Sequence, residues 1–266
     1  MRRGILQTVT DNLKRSITYS YPPKRIISLD PAITETLYHL GLSDEVVGRT
    51  RFCIHPKDKI NQAVNVGGTK DMKIDRIHDL KPDLIIAEKE ENTKEMVETL
   101  EADYPVYVFE IQTVDDAFHM IEELGVLTDR TEKAINLKKD ILAHFYQLPK
   151  ATNHRIAYLI WKKPYMAVGR DTYINDMLEK LGFINGFATS ENRYPMLTPE
   201  DLQAEHLDYL FLSSEPYPFN DKHHEEFLNI LPNVTPVNVD GEMFWYGARM
   251  LKAAPYFSKL ISSLRE

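Results

Sequence analysis

The sequence predicts an α/β protein, and three observations support this fold class. Short apolar runs alternate with amphipathic helical patterns, the middle of the chain contains no strand-like run, and similar segments recur in order in the two halves. Alternation of strands and helices is typical of parallel sheets with helices on both faces. We therefore expect two Rossmann-like lobes, over residues 1–112 and 150–266, joined by a helical linker over residues 113–149.

Seven short apolar runs have the length and composition of buried strands. They are Arg25–Leu29, Val46–Thr50, Leu84–Ala87, Val106–Phe109, Arg155–Ile160, Tyr209–Leu212 and Val234–Val239. Amphipathic stretches between them predict helices that cover the sheets, among them Asp71–Leu80, Thr93–Leu100 and Thr172–Leu181.

The linker predicts two consecutive helices. Thr113 followed by Asp116 is a helix start, and Gly125 interrupts the pattern that follows. A second helix is predicted over Thr128–Tyr146, with apolar residues at helical spacing. About 19 residues at a rise of 1.5 Å span roughly 28 Å, so this helix is long enough to connect two lobes as a stiff strut.

The two halves of the chain resemble each other. The same spacing separates Asp75 from Glu200 and Asp83 from Asp208. In each half, the first acid lies at the start of a helical pattern, and the second directly precedes a buried strand. Ordered similarities on both sides of a central helix indicate two similar lobes.

Composition excludes several classes of protein. The formal net charge of −8 disfavours nucleic acid as a partner, because an acidic chain repels phosphate. The single cysteine, Cys53, excludes an internal disulfide. No stretch reaches the roughly 20 apolar residues of a membrane helix. Arg2 and Arg3 are not followed by the apolar region of a secretion signal, so the sequence as given predicts a cytoplasmic location. The alternative is a periplasmic or other extracytoplasmic location, which applies if a leader is missing.

Four blocks of the sequence resemble segments of a known protein family. They are Pro23–Glu35, then Gly67–Lys70 with Ile74–Ile77 and Leu80–Ala87, then Val168–Tyr173 with Leu181–Phe183, and finally Asp240–Arg249. Together they resemble the helical-backbone metal receptor family, which comprises the substrate-binding proteins of iron-siderophore, haem and cobalamin importers. The blocks follow the family's order over nearly the whole chain, and the likeness is greatest to the cobalamin-binding branch.

The resemblance implies a fold like that of class III periplasmic binding proteins, in which two lobes face each other across a cleft. It implies reversible binding of a cobalamin-like corrinoid or an iron chelate in that cleft, with no catalytic cofactor. A monomer that delivers its ligand to an ABC permease is the expected assembly. Members of the family usually carry an export signal or a lipid anchor, and this sequence departs from the family there.

Three residues near the chain end are the first candidates for ligand contact. Trp245, Tyr246 and Arg249 follow the predicted strand that ends at Val239. Ligands of open α/β sheets bind beyond the carboxyl ends of strands. Aromatic faces and an arginine donor suit a flat macrocycle with polar edges. The alternative is that Trp245 packs against the last helix and that Arg249 is solvated.

Other candidates for ligand contact lie at predicted turns and in the blocks of resemblance: Pro31, Thr69, Arg170, Tyr173 and Tyr217. Thr69 follows two glycines in a turn that would line the cleft. Beside Arg170, Asp171 or Thr172 could simply cap the next helix. Whether Tyr173 lies in the cleft stays undecided at this point. Tyr217 belongs to an aromatic loop that either lines the bottom of the cleft or only covers the core.

Cys53 and His55 form a candidate metal pair. Two positions apart in an extended chain, their side chains point to the same side, and thiolate with imidazole suits a soft or borderline metal. No third ligand is identifiable, and the alternative is a small buried cysteine beside a loop histidine.

Asp75 and Glu200 are the candidate docking residues. Each lies near a predicted helix start, where the helix dipole favours a carboxylate. The resemblance implies that one acid of each lobe docks onto arginines of the permease.

No catalytic motif is present: the sequence contains neither a nucleophile elbow, nor a zinc-protease helix, nor a dinucleotide fingerprint. We therefore expect a binding protein and not an enzyme. Two alternatives stay open. One is an iron-siderophore or haem receptor, and the other is a cytosolic chelatase-like enzyme of corrinoid or tetrapyrrole metabolism.

Overall fold

A computed structural model describes residues 5–264, so Arg2 and Arg3, which bore on the expected location, lie outside the described residues. The chain divides into two units. The first comprises the residues up to Ile111, together with Asp115–Asp140 and Tyr246–Arg249. The second comprises Gln112–Val114, Ile141–Trp245 and the residues from Met250 onward. The lobe boundaries expected from the sequence stay a prediction.

The first unit contains an antiparallel hairpin and a parallel sheet. The hairpin consists of β1 (Ile5–Thr10) and β2 (Ser16–Tyr21). Among the described residues, the sheet has five parallel strands in the order β5-β4-β3-β6-β7. After the hairpin the elements are β3 (Ile26–Ser28), α1 (Pro31–His39), β4 (Val46–Arg49), β5 (Val64–Asn65), α2 (Ile74–Leu80), β6 (Leu84–Glu88), α3 (Lys94–Glu101) and β7 (Val106–Phe109). The next helices, α4 (Val114–Leu127) and α5 (Thr131–Tyr146), belong mainly to the first unit, whereas Val114 and the residues of α5 from Ile141 onward belong to the second.

The core of the first unit explains why its strands are continuous apolar runs. Ile27 of β3 and Ile85 of β6 are fully buried, and they pack with Ile77 of α2 and with Val97 and Leu100 of α3. A parallel sheet covered on both faces exposes neither side of its strands to water. Burying each such side chain contributes roughly 1.5–3 kcal/mol.

Gly125 lies inside α4 and does not end it. A Cβ atom at this position would lie 2.5 Å from the Cβ of Ala134 on α5, so glycine permits the close approach of the two helices. The helix α4 ends at Leu127, and the hydroxyl of the next residue, Thr128, donates to the carbonyl of Leu124 at 2.6 Å. The helix α5 therefore begins at Thr131 and not at the predicted Thr128.

The second unit has a mixed sheet. Among the described residues, β8, β10, β12 and β13 run parallel, whereas β9 and β11 are antiparallel to their neighbours. Its elements are β8 (Arg155–Trp161), β9 (Tyr165–Ala167), α6 (Tyr173–Lys180), β10 (Ile184–Asn185), β11 (Met196–Leu197), α7 (Pro199–Ala204), β12 (Tyr209–Ser213), α8 (His224–Ile230), β13 (Thr235–Val239) and α9 (Met250–Ser263).

All seven predicted strands are present, each within one residue of its expected ends. The predicted α/β class with parallel sheets is thereby confirmed. Within residues 5–264, no helix combines the length and the apolar character that crossing a membrane requires.

Candidate functional site

Buried polar side chains gather beyond the carboxyl ends of β3, β4 and β6 in the first unit. The set includes Ser28, Asp30, Thr34, Thr50, Cys53, Thr69, Glu88 and Asn92. Asn92 joins three of these segments, because its side-chain amide accepts from the backbone of Glu88 and donates to the carbonyls of Leu29 and Thr69. This end of the sheet is where α/β proteins bind ligands.

Asp30 is the centre of this polar set. Its carboxylate caps α1 by accepting the backbone N–H of Ile33 at 2.7 Å, with Pro31 at the first helical position. The hydroxyl of Tyr246 donates to its other oxygen at 2.9 Å. Burial, and then the negative charge of Glu91, raise the pKa of Asp30 to about 7.

Glu88 supplies a second buried carboxyl at the end of β6. It accepts the backbone N–H groups of Glu90 at 2.7 Å and Glu91 at 3.0 Å. Burial, and then the charge of Asp30, raise its pKa to about 8. The first unit therefore holds two interacting carboxyls that bind protons near neutral pH.

The three residues predicted to form one ligand-binding cluster have separate partners. The hydroxyl of Tyr246 bonds to Asp30, and the indole N–H of Trp245 donates to Glu215 of the second unit. Arg249 is only 2% exposed, and its Nε donates to Glu35 at 2.8 Å.

This placement corrects the expectation that Arg249 would be an accessible donor beyond a strand end. A buried charge requires a partner, and Glu35 on α1 provides one. Contact of Arg249 with a ligand would require the guanidinium to become accessible, because the residue is only 2% exposed. The ligand contacts of Trp245, Tyr246 and Arg249 stay a prediction.

Metal binding by Cys53 and His55 stays a prediction, and the surroundings of the thiol do not favour it. The sulfur of Cys53 is 3.1 Å from the Thr34 hydroxyl and 3.2 Å from that of Thr50. Burial raises the pKa of the thiol to about 11, so it is protonated at neutral pH. His55 is also buried. Across residues 5–264, no group of three or more His, Cys, Asp or Glu is arranged to hold a metal ion.

Pro31 and Thr69, the other candidates in the first unit, lie beside the buried polar set. Pro31 is half-buried at the start of α1. Thr69 is buried, and its carbonyl accepts from Asn92 at 3.0 Å. Both positions fit a ligand at the carboxyl ends of the strands, and their contacts with a ligand stay a prediction.

Arg170 and Tyr173 differ in accessibility. Arg170 is exposed and pairs with its neighbour Asp171 at 2.7 Å. Tyr173 is buried in the first turn of α6, and Thr172 caps that helix by accepting the backbone N–H of Asn175. The capping alternative for Thr172 is therefore correct, and the burial of Tyr173 speaks against a ligand contact by this residue.

Tyr217 belongs to an aromatic group at the carboxyl ends of β8 and β12. Its ring meets that of Trp161 edge to face, with centroids 5.8 Å apart. It also contacts Phe219 at 4.6 Å. Trp161, which is 42% exposed, is the last residue of β8 and was not among the predicted site residues. The rule applied to Trp245, that a side chain beyond a strand end is a candidate, would have found it.

Asp75 and Glu200 occupy corresponding places in their units. Asp75 is exposed in the first turn of α2, and Glu200 is exposed in the first turn of α7. These positions agree with both interpretations of the two acids, namely that they stabilise helix starts and that they dock onto a permease. Docking stays a prediction.

Comparison with known proteins gives a consistent set of relatives. A family model described as periplasmic binding protein matches residues 26–230. The vitamin B12-binding protein of Vibrio parahaemolyticus is 27% identical over 197 residues, which cover 72% of this chain and 71% of that protein.

Solved structures agree on the fold. The periplasmic vitamin B12-binding protein of Vibrio cholerae superimposes with a TM-score of 0.74 at 21% identity, covering 92% of this chain and 99% of that one. The periplasmic haem-binding protein of the same organism gives a TM-score of 0.73 at 20% identity, covering 89% and 98%. At these identities the likeness concerns the fold alone.

Proposed function

Because the chain belongs to the periplasmic binding protein family, we propose that it is a substrate receptor for a metal chelate, with a cobalamin-like corrinoid as its first candidate ligand. The protein binds this ligand reversibly, without making or breaking a bond, and passes it to an ABC permease. The expected position of the ligand, in a cleft, and the expected monomer remain part of this proposal.

The observation that carries the proposal is the position of the polar and aromatic groups. The buried polar groups of the first unit and the aromatic group of the second lie at the carboxyl ends of parallel strands. The relative from Vibrio parahaemolyticus is named a vitamin B12-binding protein. Aromatic side chains and a few oriented polar groups are typical of sites for large organic ligands.

Calorimetric titration of the purified chain tests the proposal. We expect one corrinoid per chain with cyanocobalamin, and recovery of the corrinoid chemically unchanged. Haemin and a ferric hydroxamate are titrated in parallel, because a solved neighbour is named a haem-binding protein. If haemin or the hydroxamate binds and cyanocobalamin does not, the protein is a haem receptor or an iron-siderophore receptor.

Chemical conversion of the added ligand would contradict the binding role. In that case the chain would be an enzyme of corrinoid or tetrapyrrole metabolism, which is the second candidate function. Chromatography of the ligand after prolonged incubation with the protein, beside a sample incubated without it, separates the two functions.

A further inference from the structure

A half-buried arginine of the first unit has no carboxylate partner. Arg49 is the last residue of β4, and it forms no ion pair among the residues that the structure describes. Other half-buried arginines of this unit do form one, as Arg15 does with Asp11 and Arg130 does with Glu45. A guanidinium that is withdrawn from water destabilises the fold unless an opposite charge compensates it.

The guanidinium of Arg49 is held at two of its three nitrogens. Nη1 donates to the carbonyl of Thr50 at 3.1 Å, and Nη2 donates to the side-chain oxygen of Asn61 at 3.2 Å. Both acceptors are uncharged. The third nitrogen, Nε, is shielded from solvent and has no hydrogen-bond partner in the described part of the chain. The side chain is therefore fixed, whereas one donor and the positive charge stay uncompensated.

Tyr38 on α1 supplies a second buried donor of this kind. The residue is 7% exposed, and its hydroxyl has no hydrogen-bond partner within the described ranges. Burial raises the pKa of Tyr38, and the positive charge of Arg49 opposes this rise, so the two side chains are close enough to interact.

Cys53 connects the segments that carry these two side chains. Its sulfur lies 3.1 Å from the hydroxyl of Thr34, which is one helical turn before Tyr38. The same sulfur lies 3.2 Å from the hydroxyl of Thr50, the residue after Arg49. The first half of the loop after β4 is thereby held against α1, and the positions of both donors are fixed by the fold.

From these two donors and the uncompensated charge we infer that Tyr38 and Arg49 bind one small monovalent anion, chloride or another halide. The hydroxyl of Tyr38 and Nε of Arg49 both donate to this ion, and its charge balances the guanidinium. Water satisfies the two donors but leaves the charge uncompensated. Because both donor atoms are shielded from solvent, the site favours a monatomic ion over a larger anion such as sulfate. This site goes beyond the proposed function and is expected whichever chelate the protein binds.

Bromide identifies such an ion in crystals, because its anomalous scattering distinguishes it from water. We expect crystals of the original chain grown in sodium bromide to show one anomalous peak within hydrogen-bonding distance of the Tyr38 hydroxyl and of Nε of Arg49. A peak without anomalous signal at this place is a water molecule and would overturn the inference, as would the absence of any peak.

Thermal unfolding shows whether the site is occupied in solution. An ion that binds only the folded chain stabilises it. We expect the melting temperature of the original chain to rise by about 2–4 °C when sodium chloride replaces sodium gluconate at equal ionic strength, because gluconate is too large for the site.

Three variants locate the effect of chloride. Arg49→Met abolishes the dependence of the melting temperature on chloride, and Tyr38→Phe, which keeps the charge of Arg49, weakens it. Arg76→Met is the matched control, because Arg76 is an exposed arginine of the same unit that donates to the carbonyl of Asn65. This control keeps the chloride dependence of the original chain.

The solution measurement decides the remaining outcomes. Equal melting temperatures of the original chain in chloride and gluconate, even with a bromide peak, would mean binding at crystal concentration only and would refute a site that is occupied in solution. An equal response of Arg49→Met and the original chain would mean that the ion binds elsewhere. If Arg49→Met does not fold, Tyr38→Phe and the bromide map of the original chain still test the inference.

Discussion

Arg249 and Glu35 show how one residue pair connects distant parts of the chain. They are 214 positions apart in the sequence, yet the guanidinium and the carboxylate form a buried ion pair. The sequence reveals that Arg249 follows a strand end, but it does not reveal the partner. Long-range pairing depends on tertiary packing, and periodicity does not encode it.

Replacing one member of this pair should destabilise the folded protein. We expect Arg249→Met to lower the free energy of unfolding by about 3–5 kcal/mol, because it leaves the Glu35 carboxylate buried without its ionic partner. Adding Glu35→Gln to this variant should restore part of the loss. Urea unfolding measures both effects.

The exposed pair of Arg170 and Asp171 provides the control. Arg170→Met should change the free energy of unfolding by about 0–1 kcal/mol, as is usual for surface ion pairs. An equal effect of Arg170→Met and Arg249→Met would show that burial does not determine the contribution of Arg249.

The Cys53 thiol should be unreactive in the folded protein. It is 1% exposed, and burial raises its pKa to about 11, whereas reaction with disulfide reagents requires an accessible thiolate. We expect Ellman's reagent to leave the native chain unmodified at pH 8 and to release one thiol equivalent in guanidinium. Rapid reaction of the native chain would contradict the burial of the thiol. A spectral shift of the bound ligand in Cys53→Ser would support the metal contact, which stays a prediction.

At the scale of elements, apolar strands were the most predictable feature. The run Leu84–Glu88 is buried at every position, so its sequence alone distinguishes it from surface segments. The hairpin of β1 and β2 was missed because β1 exposes Ile5 and Leu6 and has no buried position. Its register depends on pairing with β2, which the composition of neither strand reveals.

The buried carboxyls beyond β3 and β6 should make the stability of the first unit depend on pH. The pKa values of Asp30, about 7, and Glu88, about 8, both lie above their ordinary values. The folded state therefore keeps protons that the unfolded chain releases. This contribution to stability is greatest below about pH 4 and is lost as the pH rises through 7 to 8.

Glu88→Gln removes one of the two titrating groups and should flatten this dependence. Between pH 5 and 8 the original chain should lose stability relative to the variant, by up to about 1.4 kcal/mol per pH unit. Glu95→Gln, at an exposed position on α3, is the matched control and should follow the original chain. Parallel curves for the original chain and Glu88→Gln in urea unfolding would contradict the shift in pKa.

At the scale of the whole molecule, the similarity between the two halves was visible in the sequence and has a structural counterpart. Asp75 and Glu200, separated by the same spacing as Asp83 and Asp208, both lie exposed in the first turn of a helix. Each of these helices precedes a buried parallel strand, β6 or β12. What such exposed acids contact is not encoded in their own unit, so docking onto another molecule stays a prediction.

We expect the double variant Asp75→Ala with Glu200→Ala to separate docking from folding and binding. Exposed carboxylates contribute about 0–1 kcal/mol each, so the melting temperature and the affinity for the chelate should stay nearly unchanged. Stimulation of the ATPase of a cognate ABC transporter in liposomes should be lost, because the basic residues of the permease lose both their partners.

The control for this experiment is Asp79→Ala with Glu225→Ala, which removes two exposed acids from the same two units. If docking depends on position, this control retains the stimulation, and if it depends only on net charge, both double variants lose it. The role also requires that the protein meets the outer face of the permease. Fractionation of the native host therefore comes first, and a protein found only in the cytosol would refute docking whatever the ATPase assay shows.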